Sequence, residues 1–202
     1  MRSPQLVLFA AAYLVGSVPT GYWLGQLWKG VDVRQLGSGN LGATNVFRVL
    51  GIVPGLLTLL IDISKGLISV LVAKRLFPGE LSTSLWAGLA AILGHTTSVF
   101  VRFRGGKGVA TSAGVFFALL PFPSAAALAA FLIVFGATRY VSLSSLVGAL
   151  TLVASSFALA APRQLSWSAV AIAIFVTWTH RANIRRLIQG TENRIEWSKK
   201  PS

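Results

Sequence analysis

Long apolar runs separated by short polar segments dominate this chain. A run of about 20 apolar residues can cross the roughly 30 Å hydrocarbon core of a bilayer as one α-helix. We interpret five runs in this way: residues 4–28, 49–73, 81–100, 142–161 and 165–179. The first run lacks the small-residue cleavage site of a signal peptide, so we expect it to remain as a span. The pattern predicts an all-α, polytopic membrane protein.

A sixth apolar stretch, residues 109–138, is interrupted by Pro121 and Pro123. A proline removes a hydrogen bond from a helix interior and clashes with the preceding turn. We therefore expect two short helices here, which brings the predicted number of membrane crossings to seven. A re-entrant hairpin is the alternative, and it would also return both ends of the stretch to one side.

Composition agrees with a membrane protein, because 54% of the residues are hydrophobic and only 11% are charged. Soluble proteins average roughly 25% charged residues, so an ordinary soluble fold is excluded. The chain has no cysteine, two histidines and five acidic residues. Metal sites need clusters of such ligands. We expect a single integral-membrane domain over residues 1–202, with no metal and no cofactor.

Basic residues outnumber acidic ones by 18 to 5, which suggests either a membrane or a nucleic acid as partner. With seven crossings and the N-terminus outside, thirteen basic residues fall on one face, four on the other and Lys65 inside a span. The richer face is cytoplasmic by the positive-inside rule, so the C-terminus is cytoplasmic too. Because the charges are spread loop by loop, we expect a lipid bilayer and no nucleic acid as partner. The thirteen are Lys29, Arg34, Arg48, Arg102, Arg104, Lys107, Arg139, Arg181, Arg185, Arg186, Arg194, Lys199 and Lys200, and the four are Arg2, Lys74, Arg75 and Arg163.

The first polar segment, residues 31–48, contains Gly-Ser-Gly-Asn-Leu-Gly at 37–42. This matches the GxGxxG spacing of dinucleotide-binding proteins, but that motif follows a β-strand and this one lies between two spans. Glycines still let backbone N–H groups approach a phosphate, and a helix N-terminus attracts an anion. We predict phosphate binding, with a tight turn capped by Ser and Asn as the purely structural alternative. The candidate residues are Ser38, Gly39, Asn40, Gly42, Thr44, Asn45 and Arg48.

The second polar segment, residues 102–111, reads Arg-Phe-Arg-Gly-Gly-Lys-Gly-Val-Ala-Thr. It is not a Walker A loop, because Gly108 follows Lys107 where that loop has a magnesium-binding Ser or Thr. Three glycines around a lysine at a helix start still form a good anion nest. A flexible, positively charged turn is the alternative. The phosphate-binding candidates are Arg104, Gly105, Gly106, Lys107, Gly108 and Thr111.

The third polar segment is divided between residues 139–142 and the C-terminal residues 180–202. Arg139 and Ser142 join the phosphate-binding candidates. The C-terminal part has the pattern of an interfacial helix, with apolar side chains toward lipid and arginines toward water.

Asp62 and Lys65 are the ionisable pair that lies well inside a predicted span. Three residues apart, they share one face of a helix. An unpaired charge at that depth costs at least ~2.5 kcal/mol. We therefore expect the two to pair and to face the bundle interior, either as a structural pair or as part of the substrate cavity.

The three segments resemble the motifs of the acyl-phosphate:glycerol-3-phosphate acyltransferase family: G-S-G-N-L-G-A-T-N…R, G-H…F-R-G-G-K-G-V-A-T and H-R-A-N-I-R-R-L…G-T-E. The resemblance covers nearly the whole chain, including D-x-x-K-G at 62–66 and R-Y-V-S-L at 139–143. One departure is Thr-Thr-Ser-Val-Phe at 96–100, where that family usually has a proline-containing stretch. This puts the local bend in question.

The resemblance implies a bacterial inner-membrane enzyme with seven helices and a cytoplasmic active site. It would move a fatty acyl group from acyl phosphate to the 1-hydroxyl of glycerol 3-phosphate, giving lysophosphatidic acid and phosphate. The third motif supplies His180, Asn183 and Glu192 as catalytic candidates. A transporter of phosphorylated solutes is the alternative, although we find no internal repeat of the kind common in transporters.

The chemistry fits a site rich in cations, because both substrates carry phosphate. Two unit charges ~5 Å apart repel by roughly 3 kcal/mol at an effective dielectric constant of ~20. Neither His95 nor His180 has an acid five residues later, so the His-x-x-x-x-Asp dyad of other acyltransferases is absent. We expect catalysis by positioning and charge stabilisation, with the substrate's own phosphate accepting the hydroxyl proton. His180 is the rival base, and for either histidine a polar helix cap is the structural alternative.

Overall fold

The computed structural model describes residues 3–195, and all regular structure within that range is helical. Arg2, Lys199 and Lys200 from the charge count, and the end of the predicted interfacial tail, lie outside the described residues. Single 3₁₀ turns lie at Val33–Gln35 and Val99–Val101. The α-helices, in chain order, are α1 Ser3–Ser17, α2 Thr20–Lys29, α3 Ala43–Leu50, α4 Ile52–Leu76, α5 Leu81–Thr96, α6 Val109–Leu119, α7 Pro121–Thr138, α8 Val141–Ala158, α9 Arg163–Thr179 and α10 Arg181–Ile188.

Two predicted spans differ from the observed helices. The first run is divided between α1 and α2, because Pro19 pushes Val18 out of the helical conformation. The second span begins at Ile52 rather than at residue 49. Gly51, with φ of 98°, separates it from α3, which the apolar pattern did not predict. That φ is readily adopted by glycine alone.

The proline-interrupted stretch folds as two helices, as the sequence predicts, but α6 is short at 11 residues whereas α7 has 18. α6 ends at Leu119 and α7 begins at Pro121. A proline in the first turn of a helix costs no intrahelical hydrogen bond, because that N–H would have no helical acceptor. The local bend after α5 also forms, although the chain has no proline there: α5 ends at Thr96 and a 3₁₀ turn follows.

Five helical segments are long and apolar enough to cross a membrane: Ser3–Lys29, Ile52–Leu76, Leu81–Val101, Pro121–Thr138 and Val141–Ala158. Many large apolar side chains are exposed, among them Leu27 at 83% and Phe122 at 78%. Water-soluble monomers rarely expose extensive apolar surface, whereas lipid-facing helices do. The chain is therefore an all-helical, multi-pass membrane protein.

The described residues fall into two compact units that divide between Leu119 and Leu120. In the first unit α1 packs on α5, and α4 packs on α3, α5 and α6. In the second unit α8 packs on both α7 and α9, and α10 contacts α8 and α9. The first two polar segments belong to the first unit, and the third segment belongs to the second.

Candidate functional site

Asn45 organises the first polar segment from inside. Its side-chain oxygen accepts a hydrogen bond from the backbone N–H of Ser38 at 2.7 Å. Its Nδ2 donates to the carbonyls of Val33 at 2.9 Å and Leu36 at 3.1 Å. Asn45 is only 1% exposed, and these three hydrogen bonds engage its amide within the segment. Its predicted role in phosphate binding stays a prediction.

Two further N–H groups of the first segment are engaged within the protein. Gly39 N donates to the carbonyl of Leu36 at 3.0 Å, and Gly42 N donates to Oδ1 of Asn40 at 2.8 Å. Asn40 thereby forms a turn that leads into α3. With Ser38, three of the predicted backbone donors therefore hold the loop in shape, while the Ser38 residue itself is exposed.

The helix α3 follows this loop directly and presents its N-terminus beside it. Gly42 is the residue before the helix, Thr44 lies in its first turn and Arg48 in its last turn. Thr44 and Arg48 are both half-buried. The N–H groups of a first helical turn attract anions, so α3 offers the first segment a means of binding phosphate that differs from a glycine nest.

The glycines of the second segment pack tightly against His95. Gly105 N donates to the carbonyl of Thr96 at 3.0 Å, and Gly106 N donates to the carbonyl of His95 at 3.0 Å. A Cβ on Gly106 would lie 2.2 Å from Nε2 of His95, and one on Gly105 would lie 2.0 Å from the His95 carbonyl oxygen. Close packing therefore requires glycine at both positions, and in this structure both N–H groups donate to backbone carbonyls.

Lys107 stands next to the N-terminus of α6, which begins at Val109. Gly108, with φ of 82°, makes the turn between them. Lys107 is half-buried and Arg104 is exposed. Thr111, in contrast, is fully buried within α6. The N–H groups of a first helical turn attract anions, and Lys107 stands beside the first turn of α6.

A small cleft in the first unit is lined by residues from both glycine segments. Leu41 comes from the first segment, and Gly105 and Gly106 come from the second. Thr20 and His95, from α2 and α5, also line the cleft. The structure therefore brings these two segments together.

Asp62 pairs with Lys65, as predicted, and lines the same cleft. Lys65 Nζ lies 2.5 Å from Asp62 Oδ1, and the two residues are 4% and 2% exposed. Thr20 Oγ1 donates to the same oxygen at 3.2 Å, and His95 Nδ1 lies 3.7 Å from it. The sequence did not reveal the approach of His95, because it depends on how α4 and α5 pack.

Glu192 is the centre of a buried network in the second unit. Its Oε1 accepts hydrogen bonds from Ser142 Oγ at 2.9 Å and from Asn183 Nδ2 at 2.6 Å. Its Oε2 accepts from Arg186 Nε at 2.7 Å. The network joins the first turn of α8 to α10. The sequence did not single out Arg186 as part of this site.

These contacts keep Glu192 ionised. Burial raises the pKa of its carboxyl, but the hydrogen bonds from Asn183, Arg186 and Ser142, together with the charge of Arg186, lower it more, so the pKa lies below its ordinary value. A carboxylate with three donors and a low pKa is a poor proton acceptor. Its geometry therefore favours a positioning role over a general base.

His180 lies buried between α9 and α10, at 3% exposure. Its Nδ1 lies 2.8 Å from the carbonyl of Val176. Because a carbonyl only accepts, Nδ1 carries the proton, and Nε2 is then the basic nitrogen of the neutral ring.

Arg139 is exposed at the end of α7, and its carbonyl accepts a hydrogen bond from Ile195 N at 3.0 Å.

Known proteins resemble the chain over almost its full length. A family model described as glycerol-3-phosphate acyltransferase matches residues 6–190. The glycerol-3-phosphate acyltransferase of Anaeromyxobacter sp. (strain K) is 44% identical over 200 residues, which cover 96% of this chain and 100% of the relative. That of Geobacter sulfurreducens is 46% identical over 192 residues, covering 95% and 98%.

Two solved structures share the fold. Both are crystal structures of PlsY, an integral membrane glycerol 3-phosphate acyltransferase, one in its glycerol 3-phosphate form and one in its lysophosphatidic acid form. The first has a TM-score of 0.91 and 40% identity, and the second has 0.88 and 39%. Each covers 96% of this chain and is itself covered to 96%.

The helical fold with its apolar spans and these relatives define an integral membrane acyltransferase. The chain belongs to the glycerol-3-phosphate acyltransferase family. The comparisons give no support to the alternative of a transporter.

Proposed function

We propose that this chain transfers a fatty acyl group from acyl phosphate to the 1-hydroxyl of glycerol 3-phosphate, the first step of phospholipid synthesis. The family membership carries the proposal, because relatives of similar length bear the name glycerol-3-phosphate acyltransferase. We further propose a bacterial inner-membrane location, seven crossings and an active site that faces the cytoplasm, where soluble glycerol 3-phosphate meets a lipid donor.

The reaction needs one carbon–oxygen bond to form and one to break. The 1-hydroxyl oxygen attacks the carbonyl carbon of acyl phosphate, and the bond from that carbon to the phosphate oxygen breaks. The departing phosphate accepts the hydroxyl proton, so the products are lysophosphatidic acid and hydrogen phosphate. An acyl phosphate is already activated, and the main task of the protein is to bring two anions together.

Cations and helix N-termini in the first unit are suited to that task. Lys107 stands at the start of α6, and Arg48 lies on α3. Roughly 3 kcal/mol of repulsion per pair of unit charges must be offset, and charge-assisted hydrogen bonds contribute on that scale. We propose that these groups bind the substrate phosphates, with Arg104 as an exposed contributor.

In the second unit we assign Arg139 to phosphate binding and Asn183 to the reacting hydroxyl. Glu192 then acts as a positioning residue, since it holds both Asn183 and Ser142 by hydrogen bonds. His180 remains the alternative base, with the protonated Nδ1 facing Val176 O.

The proposal is tested with purified protein in detergent micelles, supplied with acyl phosphate and glycerol 3-phosphate. We expect release of phosphate and lysophosphatidic acid. Acyl-CoA or acyl-carrier protein in place of acyl phosphate tests the donor. No turnover with any donor, together with uptake of glycerol 3-phosphate by sealed vesicles, would contradict the proposal and favour a transporter.

In that assay Lys107→Ala should raise KM for at least one substrate by about tenfold, the equivalent of 1.4 kcal/mol. Lys74→Ala is the matched control, because it also removes one lysine charge, at the C-terminal end of α4. An unchanged KM for both substrates would refute the assignment of Lys107.

His180→Ala tests whether His180 or the substrate phosphate accepts the hydroxyl proton. Loss of all turnover with intact glycerol 3-phosphate binding would identify His180 as the base.

A further inference from the structure

A buried charged cluster lies where α1 breaks into α2. Lys65 Nζ donates to Asp62 Oδ1 and to the carbonyl of Val18, both at 2.5 Å. Thr20, in the first turn of α2, donates to the same Asp62 oxygen. At the break the carbonyl of Val18 accepts two hydrogen bonds, from the N–H of Thr20 and from Lys65 Nζ. The cluster therefore fixes α4 to the start of α2.

His95 connects this cluster to the second glycine segment. On one side its Nδ1 lies 3.7 Å from Asp62 Oδ1. On the other side its Nε2 lies so close to Gly106 that a Cβ there would be 2.2 Å away. Its carbonyl also accepts the N–H of Gly106. The place of the Gly106–Lys107 turn is thus set by where His95 stands.

The same cluster also reaches the first glycine segment, through α2. Gly21 follows Thr20, and a Cβ on Gly21 would lie 2.1 Å from the carbonyl oxygen of Leu41. Leu41 immediately precedes Gly42 and the N-terminus of α3. Both glycine segments are therefore in contact with elements that Asp62 holds.

We propose that Asp62, Lys65 and His95 form a positioning cluster, which sets the spacing between the N-termini of α3 and α6 and thereby orients Lys107 toward a substrate phosphate. This rests on the proposed function. In this proposal the three residues act through Lys107 and the two loops. The buried Asp62–Lys65 pair costs desolvation, and it holds α4 against the start of α2, beside His95 of α5.

A merely structural role would lower stability alone, whereas positioning also changes KM. We expect His95→Leu to raise KM about tenfold for the same substrate whose KM Lys107→Ala raises, with a smaller change in kcat. Thr83→Val is the matched control, since Thr83 is a buried, hydrogen-bonded residue at the other end of α5. It should lower Tm and leave both KM values unchanged.

A double-mutant cycle tests the contact itself. Gly106→Ala should raise KM, because the new methyl group displaces the His95 ring or the loop. In the Gly106→Ala/His95→Ala double variant the new methyl group can occupy the space left by the imidazole ring. The fold-change in KM of the double variant should therefore be smaller than the product of the two single fold-changes. His95→Gln places a polar amide near the position of Nε2. Its KM should therefore stay within about threefold of wild type, in contrast to His95→Leu.

Two results overturn the proposal. One is a KM that is unchanged in His95→Leu although Tm falls as in Thr83→Val. The other is a double variant in which the fold-change in KM equals the product of the fold-changes in Gly106→Ala and His95→Ala. If Lys107→Ala itself leaves KM unchanged, the proposed phosphate site fails instead, which separates the two failures. If His95→Leu does not fold, His95→Gln and the cycle decide.

Discussion

Several polar residues of the motif segments make hydrogen bonds within the protein that hold those segments in place. Asn45 satisfies three backbone groups of its own loop, and Glu192 accepts hydrogen bonds from three side chains. A buried polar group without partners costs about 1–3 kcal/mol, so such residues stay buried only where their partners are in place. At the residue scale, a polar motif thus mixes groups that bind with groups that shape the site.

Glu192 gives a prediction about pH. Because its folded pKa lies below the unfolded value, its ionised form stabilises the fold above pH ~4.3, and this contribution is lost as pH falls through the lower folded pKa. Glu192→Gln removes the charge and puts an NH2 group in place of one carboxylate oxygen, where it faces either Asn183 or Arg186, both of them donors. The substitution should destabilise the protein by about 2 kcal/mol at pH 7. The difference in Tm from wild type should shrink below pH ~4.

Ser142→Ala provides the intermediate case for this series, because it removes one of the three hydrogen bonds to Glu192. Its Tm at pH 7 should fall between those of wild type and Glu192→Gln. Thermal unfolding in detergent between pH 3 and pH 8 measures all three proteins. A Tm difference between wild type and Glu192→Gln that does not depend on pH would contradict this account of Glu192.

Among the individual residues, the sequence identified the polar and charged groups but only some of their contacts within the protein. The pairing of Asp62 with Lys65 followed from their spacing on one helix. The approach of His95 to Asp62 did not, because it is set by how the neighbouring helices α4 and α5 pack against each other. Likewise Gly105 and Gly106 were recognisable as special, but the reason, close packing on His95, is a tertiary one.

At the scale of elements, paired helices approach each other through glycines that meet carbonyl groups. In the contact of α1 with α5, a Cβ on Gly16 would lie 2.1 Å from Ala91 O, and one on Gly94 would lie 2.1 Å from Tyr13 O. The contact of α4 with α6 is built in the same way around Gly66 and Gly114. Small residues at such contacts let the helix backbones approach closely. This close packing matters in a membrane because lipid is as apolar as the side chains, so the hydrophobic effect does not drive helices together there.

Gly94→Ala should therefore force α1 and α5 apart and lower stability by about 2 kcal/mol, a typical cost of overpacking. Gly136→Ala is the matched control, since Gly136 lies within α7 and a Cβ there would meet nothing within 4 Å. It should leave stability unchanged or raise it slightly, because alanine favours a helix. Unfolding midpoints in detergent compare the two, and equal midpoints would refute the role of the α1–α5 contact.

At the scale of the whole molecule, the distribution of charge carries the membrane orientation. We propose that the net charge of +13 has two sources, one of which is the topology predicted by the positive-inside rule. The other is a set of cations beside the glycine segments, which we assign to phosphate. Both predict that residues 31–48 and 102–111 face the cytoplasm.

The proposed seven crossings are testable because the chain contains no cysteine. Single cysteines at exposed positions then report the side of the membrane through a membrane-impermeant maleimide. In intact cells we expect Pro78→Cys and Gln164→Cys to be labelled, and Gln35→Cys and Ala137→Cys to be labelled only after permeabilisation. If only the five long apolar segments crossed, Ala137→Cys and Gln164→Cys would exchange their behaviour.

The sequence alone determined the helical class, the membrane setting, the division at Pro121 and the identity of the polar segments. These follow from the period and length of apolar runs and from proline chemistry, which are local properties. Only the tertiary structure decided which N–H groups are engaged, why Gly106 must be glycine and that His95 reaches Asp62. Each of these depends on the three-dimensional course of a loop or on how neighbouring helices pack, which the period of apolar residues does not specify.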